Sequence, residues 1–129
     1  MMNTKVRSAH FIFDESVKYS DFVPIYPELF RKFLEISNQL PEDETLVDIW
    51  IERDMKELKK GKKPEGFLKQ NAVKMVFPVR EDRVEFYIYL KVKTEEIPLI
   101  ASKLERTLKK AKLKYTIEYD KMLRFANAK

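Results

Sequence analysis

Tyr87, Tyr89, Lys91 and Lys93 fall at every second position of the run RVEFYIYLKVK. In an extended strand such positions share one face, so the run predicts two phenol rings in line with two ammonium groups. Lys74, in the preceding apolar run, joins that row if the two runs pair. Aromatic rings stack on unpaired bases at roughly 1–3 kcal/mol each, and neighbouring lysines neutralise phosphates. A second source of charge is the stretch 56–74, KELKKGKKPEGFLKQNAVK, which holds seven lysines, two glutamates and both glycines of the chain. Its net charge of +5 equals the formal charge of the whole protein. Lys59, Lys60, Lys62 and Lys63 in this stretch are candidate phosphate contacts, because clustered lysines create a potential that a polyanion feels.

Charge is also uneven elsewhere. Residues 14–54 carry −7 and residues 103–114 carry +5. Lys103, Arg106 and Lys110 in the second basic block recur at helical spacing and share one helix face.

Other chemistries find little support. The chain has no cysteine, which removes disulfides, thiolate metal sites and cysteine nucleophiles, and points to a cytoplasm. His10 is the single histidine, so no two-histidine metal site can form within one chain, and it reads as a structural strand residue. The lysine stretch lacks the glycine-rich pattern and the Ser or Thr of a phosphate-cradling loop. Asp14 and Glu15 end a strand where small metal-dependent nucleases can place an acid, and Glu57-Leu58-Lys59 has a Glu-x-Lys form common by chance in so Lys- and Glu-rich a chain. Glu42, Asp43 and Glu44 read as an acidic helix start. No catalytic residue, metal site or cofactor is expected. The lead MMNTKVRSAH lacks the apolar region of a signal peptide, and no run reaches the roughly 18 apolar residues of a membrane span. Charged residues make up 36%, dominated by Lys and Glu, a composition that fits a thermophile.

The elements that must position these groups follow from periodicity. Lys5–Phe13 predicts a strand with Phe11 and Phe13 on one face and Ile12 on the other. Pro27 opens a helix whose apolar stripe runs from Leu29 to Leu40, where Pro41 stops it. Residues 41–60 read two ways. Acidic and basic ends with a Gly61 cap suggest a helix, whereas Thr45, Val47, Ile49 and Ile51 alternate like a strand. The segment 61–72 is a basic loop. Val73–Arg80 and Arg83–Lys93 predict a β-hairpin, with Val84, Phe86, Ile88, Leu90 and Val92 facing the core. Thr94 caps a helix with a stripe through Ile97, Ile100, Ala101, Leu104, Leu108 and Ala111. Lys114–Tyr119 is the last strand, and residues 1–4 and 120–129 are expected to be loosely held.

At 129 residues the chain is expected to be a single domain. The order predicts an α+β fold, a ferredoxin-like split β-α-β sandwich, with an antiparallel sheet, helices on one face, and one extra helix or strand at 41–60. In architecture this resembles the RNA-recognition-motif class, which binds RNA on a four-stranded sheet. The glycine that its central strand carries between aromatics is absent from RVEFYIYLKV. The expected function is non-enzymatic binding of single-stranded DNA or RNA by the lysine loop and the Tyr/Lys sheet face. The alternatives are a homodimeric or larger assembly or regulatory module, in which the acidic 14–54 surface meets a basic one, and a metal-dependent nuclease built on Asp14. No membrane partner is expected.

Overall fold

The computed structural model describes residues 5–121; of the ends expected to be loosely held, 1–4 and 122–129 lie outside the described residues, whereas Asp120 and Lys121 are held by bonds to the Arg7 N–H and to Glu85. In chain order the elements are β1 (Val6–Phe13), a 3-10 turn (Tyr19–Phe22), α1 (Tyr26–Ile36), α2 (Thr45–Lys59), β2 (Lys74–Val76), β3 (Glu85–Thr94), α3 (Glu96–Lys110) and β4 (Tyr115–Tyr119). The strands form one four-stranded sheet in the order β2-β3-β1-β4, and every neighbouring pair is antiparallel. The protein is therefore α+β, with an architecture compatible with a split β-α-β sandwich.

The inner sheet face is built from alternate residues, as a half-buried strand requires. Ala9, Phe11 and Phe13 of β1, Phe86 and Ile88 of β3, and Met75 of β2 are all buried there. Phe11 and Phe86 face each other across the strands with stacked rings 4.6 Å apart. Above them lie Leu29, Phe30, Phe33 and Leu34 of α1 and Ile97, Ile100, Leu104 and Leu108 of α3, again fully buried. Each such side chain contributes about 1.5–3 kcal/mol by leaving water. Among the described residues no helix is long and apolar enough to cross a membrane.

The ambiguous segment is a helix. Its buried residues are Val47, Ile51, Asp54 and Leu58, spaced by four, three and four, while Ile49 is 60% exposed. A strand would have put Val47, Ile49 and Ile51 on one face. The helix end is closed by backbone bonds from Gly61 N–H to the Leu58 carbonyl (2.9 Å) and from Lys62 N–H to the Glu57 carbonyl (2.9 Å), with Gly61 at φ +77. This paired closure needs a left-handed residue, which glycine supplies without strain.

Two boundaries differ from expectation. Helix α1 stops at Ile36, where the Ser37 hydroxyl donates to the Phe33 carbonyl (2.7 Å) and Asn38 turns left-handed, so Leu40 sits outside the core at 40% exposure. Strand β2 covers only Lys74–Val76 instead of extending to Arg80. Pro78 has no N–H for the ladder, and Arg80 turns to the carboxylates of Asp82 and Glu85.

Candidate nucleic-acid interface

The sheet face away from the helices carries Ser8, His10 and Ile12 of β1, Glu85, Tyr87, Tyr89 and Lys91 of β3, and Lys74 and Val76 of β2. Register sets their neighbours. Tyr89 lies opposite Lys74 on one side and Ser8 on the other, whereas Tyr87 lies opposite Val76 and His10. The two tyrosines share a face and a strand but have different surroundings.

Around Tyr89 the face is open and basic. The Lys74 ammonium stands 6.0 Å from the centre of the Tyr89 ring, within cation–π range. Asn71, Ala72, Lys74, Tyr89, Leu90 and Lys91 line a shallow cleft of about 160 Å³. Beyond Tyr89 the strand bulges. Ser8 pairs with Tyr89 but Val6 pairs with Thr94, so β3 uses five steps where β1 uses two. A bulge re-aims side chains and ends regular pairing, and here it leaves Lys91, Val92 and Lys93 exposed. Val92, expected in the core, is 61% exposed for this reason.

Around Tyr87 the same face is closed by a polar network. Ser8, His10 and Glu85 are only 1%, 2% and 3% exposed. His10 Nδ1 lies 3.2 Å from Glu85 Oε2, and its Nε2 lies 3.0 Å from Ser8 Oγ. With the Nδ1 proton donated to the carboxylate, Nε2 accepts from the serine hydroxyl, so both nitrogens of the His10 ring are satisfied. The imidazole stacks on the Tyr87 ring at 4.6 Å and 29°. Glu85 also accepts from the Lys121 ammonium (3.2 Å) and from the Arg80 guanidinium. Burial alone raises a carboxyl pKa, but the bonds from His10, Lys121 and Arg80 outweigh it and hold Glu85 down at about 2. Burial, then the nearby Glu85 charge, push the Tyr87 and Tyr19 phenols up.

Ser8, His10 and Glu85 stand in the order of a nucleophile, base and acid relay. Accessibility argues against that use. Ser8 is sealed, and the N–H groups of Arg7 and Ser8, which would face an oxyanion, both donate to Asp120 Oδ1 (2.7 and 3.3 Å). The network is instead a buried polar lock. Sequence reading passed over its partners because they are far apart in the chain; the available signal was Ser8-x-His10 on the polar side of an aromatic strand.

The lysine loop is held elsewhere. Asp54 of α2, fully buried, accepts from Tyr26 Oη (2.5 Å), Arg53 Nε (2.9 Å) and the N–H groups of Glu65 (3.1 Å) and Gly66 (3.2 Å). Phe67 then bridges Met75 at the edge of β2, and a Cβ on Gly66 would lie 2.3 Å from the Met75 carbonyl oxygen. Lys59, Lys60, Lys62 and Lys63 are exposed, and Lys60 is 4.0 Å from Glu57. Gly61 lines a 440 Å³ cleft with Lys18, Tyr19, Arg80 and Arg83, at the turn end of the hairpin. Lys91 and Lys93 lie at the opposite end of β3, roughly 20 Å away at strand rise. The structure thus divides the predicted set: Lys74, Tyr89 and Lys91 line one cleft, Lys93 is exposed further along the bulge, Tyr87 joins the lock, and the loop lysines form a separate group.

The second basic block faces away from both. Lys103, Arg106, Thr107 and Lys110 of α3 meet Glu28, Lys32 and Glu35 of α1 across a cleft of about 380 Å³ in the helix layer. Asp14 is exposed and held by Ser16, and among the described residues no group of three His, Asp or Glu side chains could hold a metal. No protein-family model, curated protein or solved structure matches the chain.

Proposed function

We propose that this is a non-enzymatic nucleic-acid-binding protein of ferredoxin-like split β-α-β architecture, taking single-stranded segments at the Tyr89 corner of its sheet. The strand order and antiparallel pairing support the architecture. The observation that carries the function is the Tyr89 ring, which has the Lys74 ammonium over it and Lys91 in the same cleft, with Lys93 exposed further along the bulge. A base stacks on the ring while the lysines take the flanking phosphates. The loop lysines Lys59, Lys60, Lys62 and Lys63 extend contact to longer strands. Titration with a short oligothymidylate at low salt tests this. Binding should fall steeply as salt rises, and Tyr89→Ala should weaken it about tenfold. No binding, or binding unchanged in Tyr89→Ala, rejects the reading.

A second reading is homo-oligomeric assembly. Leu46, Ile49 and Leu68 are exposed near a 520 Å³ groove lined by Leu40, Trp50 and Phe67. Glu42 and Asp43, next in the chain after the groove residue Pro41, complement the basic face of α3 on a second copy, while Glu44 and Asp48 are paired with Arg31. Light scattering discriminates: a stable oligomer lost in Ile49→Lys supports assembly, and a monomer at all concentrations removes it.

A further inference from the structure

The cleft between α1 and α3 has no role in the Tyr89 site, which lies on the other side of the sheet. Four cations line it, Lys32, Lys103, Arg106 and Lys110, against two acids, Glu28 and Glu35. The acids are already engaged. Glu28 accepts from the Thr107 hydroxyl (3.0 Å) and pairs with Lys110 (3.1 Å), and these bonds hold its pKa below the ordinary value. Glu35 lies 4.0 Å from Lys32. Among the described residues neither Lys103 nor Arg106 has an acidic partner. Lys103 is half-buried in the cleft wall, and Arg106 on the same face adds a planar fork suited to two phosphate oxygens. Two unneutralised cations side by side repel each other, and an anion bound between them relieves that repulsion.

We infer that this α1–α3 cleft is a second phosphate-binding site, and that the protein joins two separate nucleic-acid segments, one on each side of the sandwich. The bridging half rests on the function proposed above; the phosphate site does not. A helix layer on a sheet separates the two surfaces by roughly 20 Å, so a short strand held at Tyr89 does not reach the cleft. A partner wrapping one face would use one site, whereas two opposed sites suit annealing or cross-linking of strands.

The test uses inorganic tripolyphosphate, which has phosphates and no base, and short oligothymidylates carrying donor or acceptor dyes. Tripolyphosphate should shift the backbone amide resonances of residues 103–110 and of Lys32, and leave Tyr89 unmoved. Mixed dyed strands should show energy transfer that rises with protein and falls again when protein is in excess, as bridging demands. Lys103→Gln/Arg106→Gln changes two surface-facing groups; it should abolish the tripolyphosphate shifts and the energy transfer while leaving oligothymidylate affinity at the Tyr89 corner within about twofold. Tyr89→Ala should abolish the energy transfer and keep the tripolyphosphate shifts. If strands bind at Tyr89 but tripolyphosphate moves nothing in the cleft, or a polyglutamate of equal charge shifts the same amides equally, the second site is overturned and the first stands. If tripolyphosphate fills the cleft while no strand binds at Tyr89, the primary reading and the bridging fail together and the phosphate site survives.

Discussion

Tyr87 and Tyr89 are two residues apart on one strand, point the same way and are both half-buried, yet one stacks on a buried network and the other stands beside a lysine. The difference comes from the strands on either side. Tyr87 faces His10, whose ring covers it and ties it to a buried carboxylate. Tyr89 faces Ser8, too short to cover a phenol, and Lys74, whose ammonium stands 6.0 Å from the ring centre. Just beyond Tyr89 the bulge interrupts regular pairing, which resumes only at Val6 and Thr94. A sheet face is therefore not one surface: register decides, residue by residue, which parts are core and which are free.

The contrast can be broken most strongly from the closed side. Glu85→Ala removes the buried carboxylate that His10, Arg80 and Lys121 share, and leaves the His10 ring nitrogen buried without it. Urea denaturation should show a loss of about 3 kcal/mol, the size expected when one member of a buried charged network is deleted. A value under about 1 kcal/mol would mean that the network does not lock the face.

Acid should act on the same group. The Glu85 pKa is depressed in the fold to about 2, from 4.5. Its contribution is therefore complete above pH 4.5 and lost as pH falls from there toward 2, and amounts to about 3 kcal/mol. Glu85→Gln should flatten the stability profile across this window. An unchanged acid limb would assign the pH dependence to other carboxylates.

The two tyrosines should then separate in opposite senses. Tyr89→Ala should weaken oligothymidylate binding about tenfold, with stability changed by less than about 1 kcal/mol. Tyr87→Ala should cost about 1–2 kcal/mol of stability, as the stacked His10 loses its cover, with binding altered less than threefold. Equal effects on both quantities would erase the distinction between lock and corner.

The smallest effect should be in the salt dependence. Lys91→Gln/Lys93→Gln should lower the slope of log affinity against log salt by about one to two. Lys62→Gln/Lys63→Gln should leave that slope unchanged for short strands and reduce it only for strands long enough to reach from the corner to the loop.

Much of the framework was legible in the chain itself. The strand from Val6, the helix that follows Thr94 (with Glu95 rather than Thr94 at its cap) and the face of β3 up to Tyr89 followed from spacing that burial enforces. The candidate site was legible in part. Parity put Tyr87, Tyr89 and Lys91 together correctly on the outer face, but parity is local and carries nothing about what stands across from each residue. Ser8, His10, Glu85 and Lys121 span the length of the chain, and no sequence window contains them. Val92 matched the core pattern and lost its place to the bulge, a feature of pairing between strands. Asp54 read as one more acid on a charged helix, and only the approach of Tyr26 and the 65–66 backbone made it a buried anchor.

By itself, the sequence determined most of the elements and the apolar side of each, apart from the 41–60 segment, the ends of α1 and β2 and the bulge, because those depend on near neighbours and on the cost of exposing hydrocarbon. It also determined that positive charge is concentrated in two blocks. The tertiary structure alone decided that these blocks face apart, that the loop lysines stand at the far end of the sheet from Lys91 and Lys93, and that one tyrosine stacks on a buried histidine while the other stands beside a lysine. Those outcomes depend on strand register and on contacts between residues distant in the chain, where burial of unlike polar groups succeeds only if each finds its partner.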